Sequence, residues 1–219
     1  MSSRLLVILF FLLLTFSASG AWATEPGPYL ELEGYGTWVE KSDNQASDGT
    51  IFNATYNGGV GGGLVAGYDF VDAYPRLGRG RLEVELANRR GTVDKLKYVE
   101  GSFPVSGNLT MTSIMFTTIA DYHRYSPLVP YMSIGVGYAE VSIDQINSSG
   151  TPIIASGSDG VFACQLGAGL GIELNERLVV DLGYRFFATQ NPEFKLADGS
   201  RFISEIASHN VMVGLRLKF

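Results

Sequence analysis

The side chains of this chain that could do chemistry fall at alternate positions. Glu31 and Glu33, and again Glu83 and Glu85, are carboxylate pairs two residues apart, and on extended backbone such pairs share one face. Carboxylates so placed could act as acid and base if one were held protonated. Arg81, Arg89, Arg185, Arg216 and Lys218 alternate in the same way, and a cation beside a carboxylate favours its charged form. The spacing therefore suits an ion-pair network rather than a general acid. A nucleophile and base are scarce: the two histidines are His123 and His209. His209 has Glu205, Ser208 and Asn210 nearby, but Ser208 and His209 are adjacent and point to opposite faces of a strand, so a hydrolytic site is not expected, and His123 reads as a plain polar turn residue. Cys164, the single cysteine, cannot make an internal disulfide and reads as a small outward hydrophobe.

These charges need strands to position them. Val211, Val213, Leu215, Leu217 and Phe219 alternate with Met212, Gly214, Arg216 and Lys218, giving one oily and one wet face. The same pattern runs through Tyr29 to Trp38, Val60 to Phe70, Arg81 to Arg89, Leu109 to Tyr122, Tyr131 to Glu140, Val161 to Leu174 and Leu178 to Phe186. Facing is least clear in Leu109 to Tyr122, where Phe116 and Tyr122 are expected outward. In Arg81 to Arg89 the set opposite Leu82, Val84 and Leu86 is Arg81, Glu83, Glu85 and Arg89, which no water-soluble core would accept. Inward charges need a polar lumen, and the oily faces then meet hydrocarbon. Outer faces that begin or end in Trp38, Tyr68, Phe70, Tyr122, Tyr138, Tyr184, Phe186 and Phe219 fit the aromatic girdles of a membrane barrel.

The expected fold is all-β: an eight-stranded, antiparallel, up-and-down transmembrane β-barrel over residues 24–219, after a cleaved signal peptide over residues 1–23. Arg4, the apolar stretch Leu5 to Phe16 and Ala21-Trp22-Ala23 supply the parts of a secretory signal. The apolar stretch falls short of the roughly 20 residues a spanning helix needs. Four aperiodic stretches, Glu40 to Asn53, Gly91 to Gly107, Val141 to Gly160 and Ala188 to Ile206, read as long extracellular loops. Val71 to Gly80, His123 to Val129 and Asn175 to Arg177 read as periplasmic turns. A formal net charge of −6, without a basic run, leaves nucleic-acid binding no starting point. Gly167-Ala168-Gly169-Leu170-Gly171 follows the strand period and opens no helix, so it is no dinucleotide loop. No cofactor or metal spacing is present.

Gly61-Gly62-Gly63-Leu64-Val65-Ala66-Gly67-Tyr68-Asp69-Phe70, Pro130 to Tyr138, Gln165 to Gly171 and Asp181-Leu182-Gly183-Tyr184-Arg185-Phe186 resemble the small outer-membrane β-barrel family that includes opacity-type surface antigens and the barrel of OmpA. The likeness covers nearly the whole chain after the signal, and Cys164 stands where related sequences often carry an aromatic. The resemblance implies a bacterial outer-membrane location, lipid around the barrel, and Phe219 as the aromatic terminus shown to the barrel-assembly machinery. No peptidoglycan-binding segment follows the barrel, so cell-wall tethering is not expected.

At closure the first and last strands become neighbours, so Glu31 and Glu33 are expected near Arg216 and Lys218. Asp69 is expected to face Arg81 or Glu83, and Asp181 and Arg185 to sit beside Glu173. A barrel of this size is filled by its own side chains. The first functional reading is a non-enzymatic surface or adhesion-type protein with a plugged lumen, meeting a host or surface ligand through its loops. A narrow porin-like pore or conduit is the alternative, and a lipid A-modifying enzyme a more remote one.

Overall fold

The computed structural model describes residues 26–47, 49–74, 78–99, 101–122, 126–148 and 150–219. The expected signal peptide and His123 lie outside the described residues. Thirteen strands follow in chain order: β1 (Gly27–Val39), β2 (Ser42–Ala46), β3 (Ile51–Tyr74), β4 (Gly78–Tyr98), β5 (Gly101–Asp121), β6 (Leu128–Ile143), β7 (Ile146–Ser148), β8 (Thr151–Ile154), β9 (Gly157–Glu173), β10 (Leu178–Thr189), β11 (Glu193–Lys195), β12 (Arg201–Ser204) and β13 (Ala207–Lys218). No helix among the described residues is long and apolar enough to cross a membrane; the spans are strands.

Eight strands close into a ring in the order β1, β3, β4, β5, β6, β9, β10, β13 and back to β1, every pair antiparallel. Closure matters because hydrocarbon offers backbone amides no partner. The last seam is long, from Tyr29 opposite Lys218 to Val39 opposite Ser208. Alternation sorts the side chains as expected. Leu32, Leu64, Leu86, Phe116, Tyr122, Ile134, Leu166 and Val213 are exposed on the outside, while Glu31, Val65, Glu85, Met115, Ser133, Gln165 and Met212 are buried inside. Interior glycines make room for large neighbours. A Cβ on Gly67 would lie 2.2 Å from the Tyr29 ring, and one on Gly169 would lie 2.4 Å from the Tyr131 ring.

The four stretches read as aperiodic loops are mostly strand. Gly91 to Gly107 is the top of one continuous hairpin, in which β4 runs to Tyr98 and β5 restarts at Gly101. Glu40 to Asn53 contains β2 and the start of β3, Val141 to Gly160 contains β7 and β8, and Ala188 to Ile206 contains β11 and β12. The short strands and the upper halves of β3, β4 and β5 form a second closed ring on the first. β2 pairs with β3 and β12, and β12 with β11. On the other side β5 meets β7 at Ser106 and Asn147, and β7 pairs with β8. The ring is shut between β8 and β11: Ile154 bridges Leu196, the Ala155 amide donates to the Lys195 carbonyl at 3.1 Å, and the Ala197 amide to the Ile153 carbonyl at 2.9 Å. Roughly 9–11 residues of strand cross a membrane, whereas β3 has 24 residues and β4 and β5 have 21 each. The surplus is the wall of the second ring. Gly49, Gly150 and Gly199, with φ near +85° to +89°, turn the chain at its rim.

Candidate functional site: a two-tier interior beneath a closed extracellular cap

Alternation on eight tilted strands delivers the inward charges to one lumen, and the tilt decides which of them meet. Arg185 on β10 is the hub of the centre. Its Nη2 donates to Glu33 Oε1 at 2.7 Å and its Nη1 to Glu85 Oε2 at 2.7 Å. Arg89 continues the chain, donating to Glu85 Oε1 and to Ser113 Oγ, each at 2.9 Å. Nearer the end that carries the short turns, Arg81 makes two bonds to Asp121, at 2.7 and 2.9 Å, and one to Glu83 at 3.2 Å. Arg216 holds Asp181 through two bonds of 3.1 Å, and Lys218 holds Asp69 at 2.9 Å. The Tyr29 ring separates the two arginines, with the guanidinium of Arg81 at 5.9 Å and that of Arg216 at 5.3 Å from its centroid. Its hydroxyl donates to Glu83 Oε1 at 2.6 Å.

Several of these partners differ from those expected. Glu31 does lie opposite Arg216, with Oε2 3.9 Å from Nε, but Glu33 reaches past β13 to Arg185 on β10 instead of to Arg216 or Lys218. Asp69 stands opposite Arg81 in register, yet its ion pair is with Lys218. Glu173, the last residue of β9, makes no ion pair among the described residues. Asp121, Tyr29, Tyr35 and Gln165 also belong to the network, a membership that alternation in the sequence does not reveal. Gln165 donates to Glu85 at 3.0 Å and to Thr117 at 2.8 Å. Among the described residues the carboxylates of this tier outnumber the cations. Arg81 is shared by Glu83 and Asp121, and Arg216 by Asp181 and Glu31. Glu31 Oε1 and Glu83 Oε2 are the oxygens left without a protein partner in these two clusters.

Above Arg89 the interior changes character. Its guanidinium lies over the rings of Tyr35 and Phe187, 4.9 and 4.6 Å from their centroids. At this level Thr37, Asn210 and Ser208 form a small neutral hydrogen-bonded layer. Beyond Phe187 the filling is mainly apolar: Phe52, Val93, Leu96, Ile146, Ile154 and Phe202 are among the buried cluster that packs the cap, with Ser42, Asn44 and Ser204 as buried polar residues beside it. Phe202 touches Phe52 at 5.4 Å and Phe194 at 5.7 Å between centroids. Burial pushes the Tyr56 hydroxyl up, and it pairs with Ser42 Oγ at 2.9 Å. At the rim, the Ser200 hydroxyl and amide donate to the Asp198 carboxylate and hold it below the usual carboxylate range.

The outer face carries one polar chain. His209 Nδ1 is 2.5 Å from the Tyr184 hydroxyl and Nε2 is 2.6 Å from Glu40 Oε1, with the Phe186 ring 5.5 Å away. Ser208, fully buried inside, is turned away from it, as the strand period requires. Cys164 is exposed on the same outer face as Leu166 and Phe162. Phe219 is exposed beside β1, its amide donating to the Pro28 carbonyl at 3.1 Å.

Comparison with known proteins agrees with this architecture. The Salmonella typhimurium protein named outer membrane protein PagN is 26% identical over 136 residues, covering 59% of this chain and 57% of that protein. An uncharacterized protein of Brucella suis is 30% identical over 145 residues, covering 59% of this chain and 51% of its own length. These alignments span little more than half of each curated relative. Among solved structures, the outer membrane protein OprG from Pseudomonas aeruginosa aligns with a TM-score of 0.54 at 15% identity, covering 90% of this chain and 97% of that one. Neisserial surface protein A aligns with a TM-score of 0.53 at 18% identity, covering 89% and 99%. At these identities the likeness is one of fold. The family model described as "Outer membrane protein beta-barrel domain" matches residues 8–219, and the chain belongs to that family of bacterial outer-membrane barrels.

Proposed function

We propose that this protein is a non-enzymatic surface protein whose closed extracellular cap meets a ligand of a host or of a neighbouring surface, while the lumen charges serve as a structural plug. The observation that carries the reading is the second ring, which places a packed, mainly apolar interior directly over the ion-paired lumen. A conduit needs continuous wetted space. Here Arg89, Phe187 and the Phe52–Phe202 cluster succeed one another along the axis. Rigid β-structure carrying varied exposed side chains is also what a recognition surface on a scaffold requires. The names of PagN and of Neisserial surface protein A, an outer-membrane and a surface protein, fit the same reading. Against enzyme chemistry stands the placement of Ser208 inside and His209 outside. Surrounding outer-membrane lipid follows from the family. A transient encounter with the barrel-assembly machinery, with Phe219 as its handle, is part of the proposal.

Two measurements test it. In planar bilayers the purified protein is expected to give no unit conductance steps, and reproducible steps abolished by filling Gly135 or Gly169 would establish the pore reading instead. Cells displaying the protein are expected to adhere to host-cell or abiotic surfaces better than cells displaying a variant with the β4–β5 tip removed. Equal adherence would remove the surface-ligand reading.

A further inference from the structure

Among the described residues, each buried carboxylate of the lumen but one accepts a hydrogen bond from a cation. Arg185 serves Glu33 and Glu85, Arg81 serves Glu83 and Asp121, Arg216 serves Asp181, and Lys218 serves Asp69. The exception is Glu31, which is 3% exposed. Its Oε1 has no hydrogen-bond partner, and its Oε2 lies 3.9 Å from Arg216 Nε, beyond hydrogen-bond reach. Arg216 is already taken, because its Nε and Nη2 both donate to Asp181.

The surroundings of Glu31 add negative charge. Gly214 on β13 has no side chain, so the carboxyl of Glu31 and the side chain of Asp181 on β10 come together over it: a Cβ there would overlap Glu31 Oε1 and stand 3.3 Å from Asp181 Cβ. Asp181, Glu33 on the same strand and Glu83 on β4 all bear on Glu31, with Arg216 as the opposing charge. Val65, its partner on β3, brings no charge. Arg81 on β4 is spent on Asp121 and Glu83. Tyr29 gives its hydroxyl to Glu83, and Tyr131 of β6 faces the same space. A carboxyl shut away from water, among like charges and without a donor, is favoured as the neutral acid. A proton needs no coordination shell. A metal ion would need several converging ligands, and among the described residues no group of three or more His, Cys, Asp or Glu is so arranged.

We propose that Glu31 is a proton-binding site of the lower lumen: its carboxyl holds a proton at neutral pH, which offsets surplus negative charge in the plug and leaves Arg216 to Asp181. Loss of that proton sets two carboxylates competing for one arginine. In the unfolded chain Glu31 titrates as an ordinary glutamate, near about pH 4.3, whereas the folded lumen keeps its proton to higher pH. Its contribution to stability is therefore greatest in acid and falls as pH rises. The inference rests on the reading of the lumen charges as a structural plug and deepens it.

The test uses the full protein in lipid nanodiscs. Its infrared spectrum at neutral pH is expected to show the carbonyl stretch of a neutral carboxylic acid, shifted in heavy water and lost in Glu31→Gln. Absence of that band from wild type, or its survival unchanged in the variant, would overturn the assignment. Heat-modifiable gel migration at a series of pH values gives a second readout. Glu31→Gln is expected to match wild type near about pH 4 and to have a midpoint several degrees higher near about pH 8, because the amide stands in for the neutral acid. A variant less stable than wild type at the higher pH would reveal an ionised Glu31 bound to Arg216, and would overturn the proposal. So would a difference between the two proteins that follows sodium chloride concentration instead of pH. Conductance separates the two readings: a conducting barrel removes the plug, whereas a silent barrel with an ionised Glu31 removes the proton site alone.

Discussion

The lower and upper interiors of this barrel are filled by opposite means. Below Arg89, directional ion pairs link few groups: Arg185 alone grips Glu33 and Glu85, 152 and 100 residues away. Above it, Phe52, Phe194 and Phe202 pack ring against ring among many apolar neighbours. The lower tier ties the barrel wall across its diameter, so that losing one hub exposes charges on several strands. In the upper tier dispersion and burial are spread over many contacts, and losses stay local. Buried ion pairs are costly to break from one side even where they add little net stability, whereas an apolar core loses roughly in proportion to the volume removed.

That difference can be broken first at Arg185. Arg185→Met leaves Glu33 and Glu85 facing each other without their shared cation, and destabilisation of about 3–5 kcal/mol is expected, read as a lower midpoint of heat-modifiable migration for the whole barrel. Adding Glu33→Gln should restore part of the loss; if the single variant migrates like wild type, Arg185 is not the hub. Phe202→Ala should cost the cap about 3 kcal/mol. Its signature is faster amide exchange in β2, β11 and β12 with the barrel midpoint nearly unchanged, and a global loss would show that the tiers are one cooperative unit. Gly67→Ala drives a methyl into the Tyr29 ring and should cost about 1–3 kcal/mol. Recovery in the double variant with Tyr29→Leu distinguishes crowding from a backbone effect. The smallest effect is expected at His209, outside both tiers: His209→Ala removes the link between Tyr184 and Glu40 and should leave stability within about 0.5 kcal/mol and lipid A composition unchanged. A changed lipid A profile would contradict the non-enzymatic reading.

The contrast also explains what the sequence could disclose. In the spans, period two is unbroken, so the inward set Arg81, Glu83, Glu85 and Arg89 and the outward positions of Phe116 and Tyr122 are legible from alternation alone. Which charges meet is not, because pairing inside the lumen depends on strand stagger; hence Glu33 finds Arg185, and Asp121 joins Arg81. The cap reads as loops in the sequence for a different reason. Register shifts at Thr55/Tyr56, Asn57/Val60 and Val93/Lys95 interrupt the alternation, and Ser42 and Asn44 are buried polar residues on an inward face. Each short strand, such as Arg201–Ser204, is below the length at which a period declares itself. The available signal was the inward run Phe52, Ala54 and Tyr56 facing Val93 and Leu96 across one hairpin.

The closed cap is the claim on which the plug and the recognition surface both depend, and native-state amide hydrogen exchange of the protein in lipid nanodiscs tests it most directly. The account expects the amides of Ala155 and Ala197, which shut the second ring, and those of Leu96 and Phe52 within it, to be protected for far longer than the exposed rim at Gly49 and Gly199. Exchange of Ala155, Ala197, Leu96 and Phe52 as fast as that rim would mean that the upper ring is open, and would contradict it.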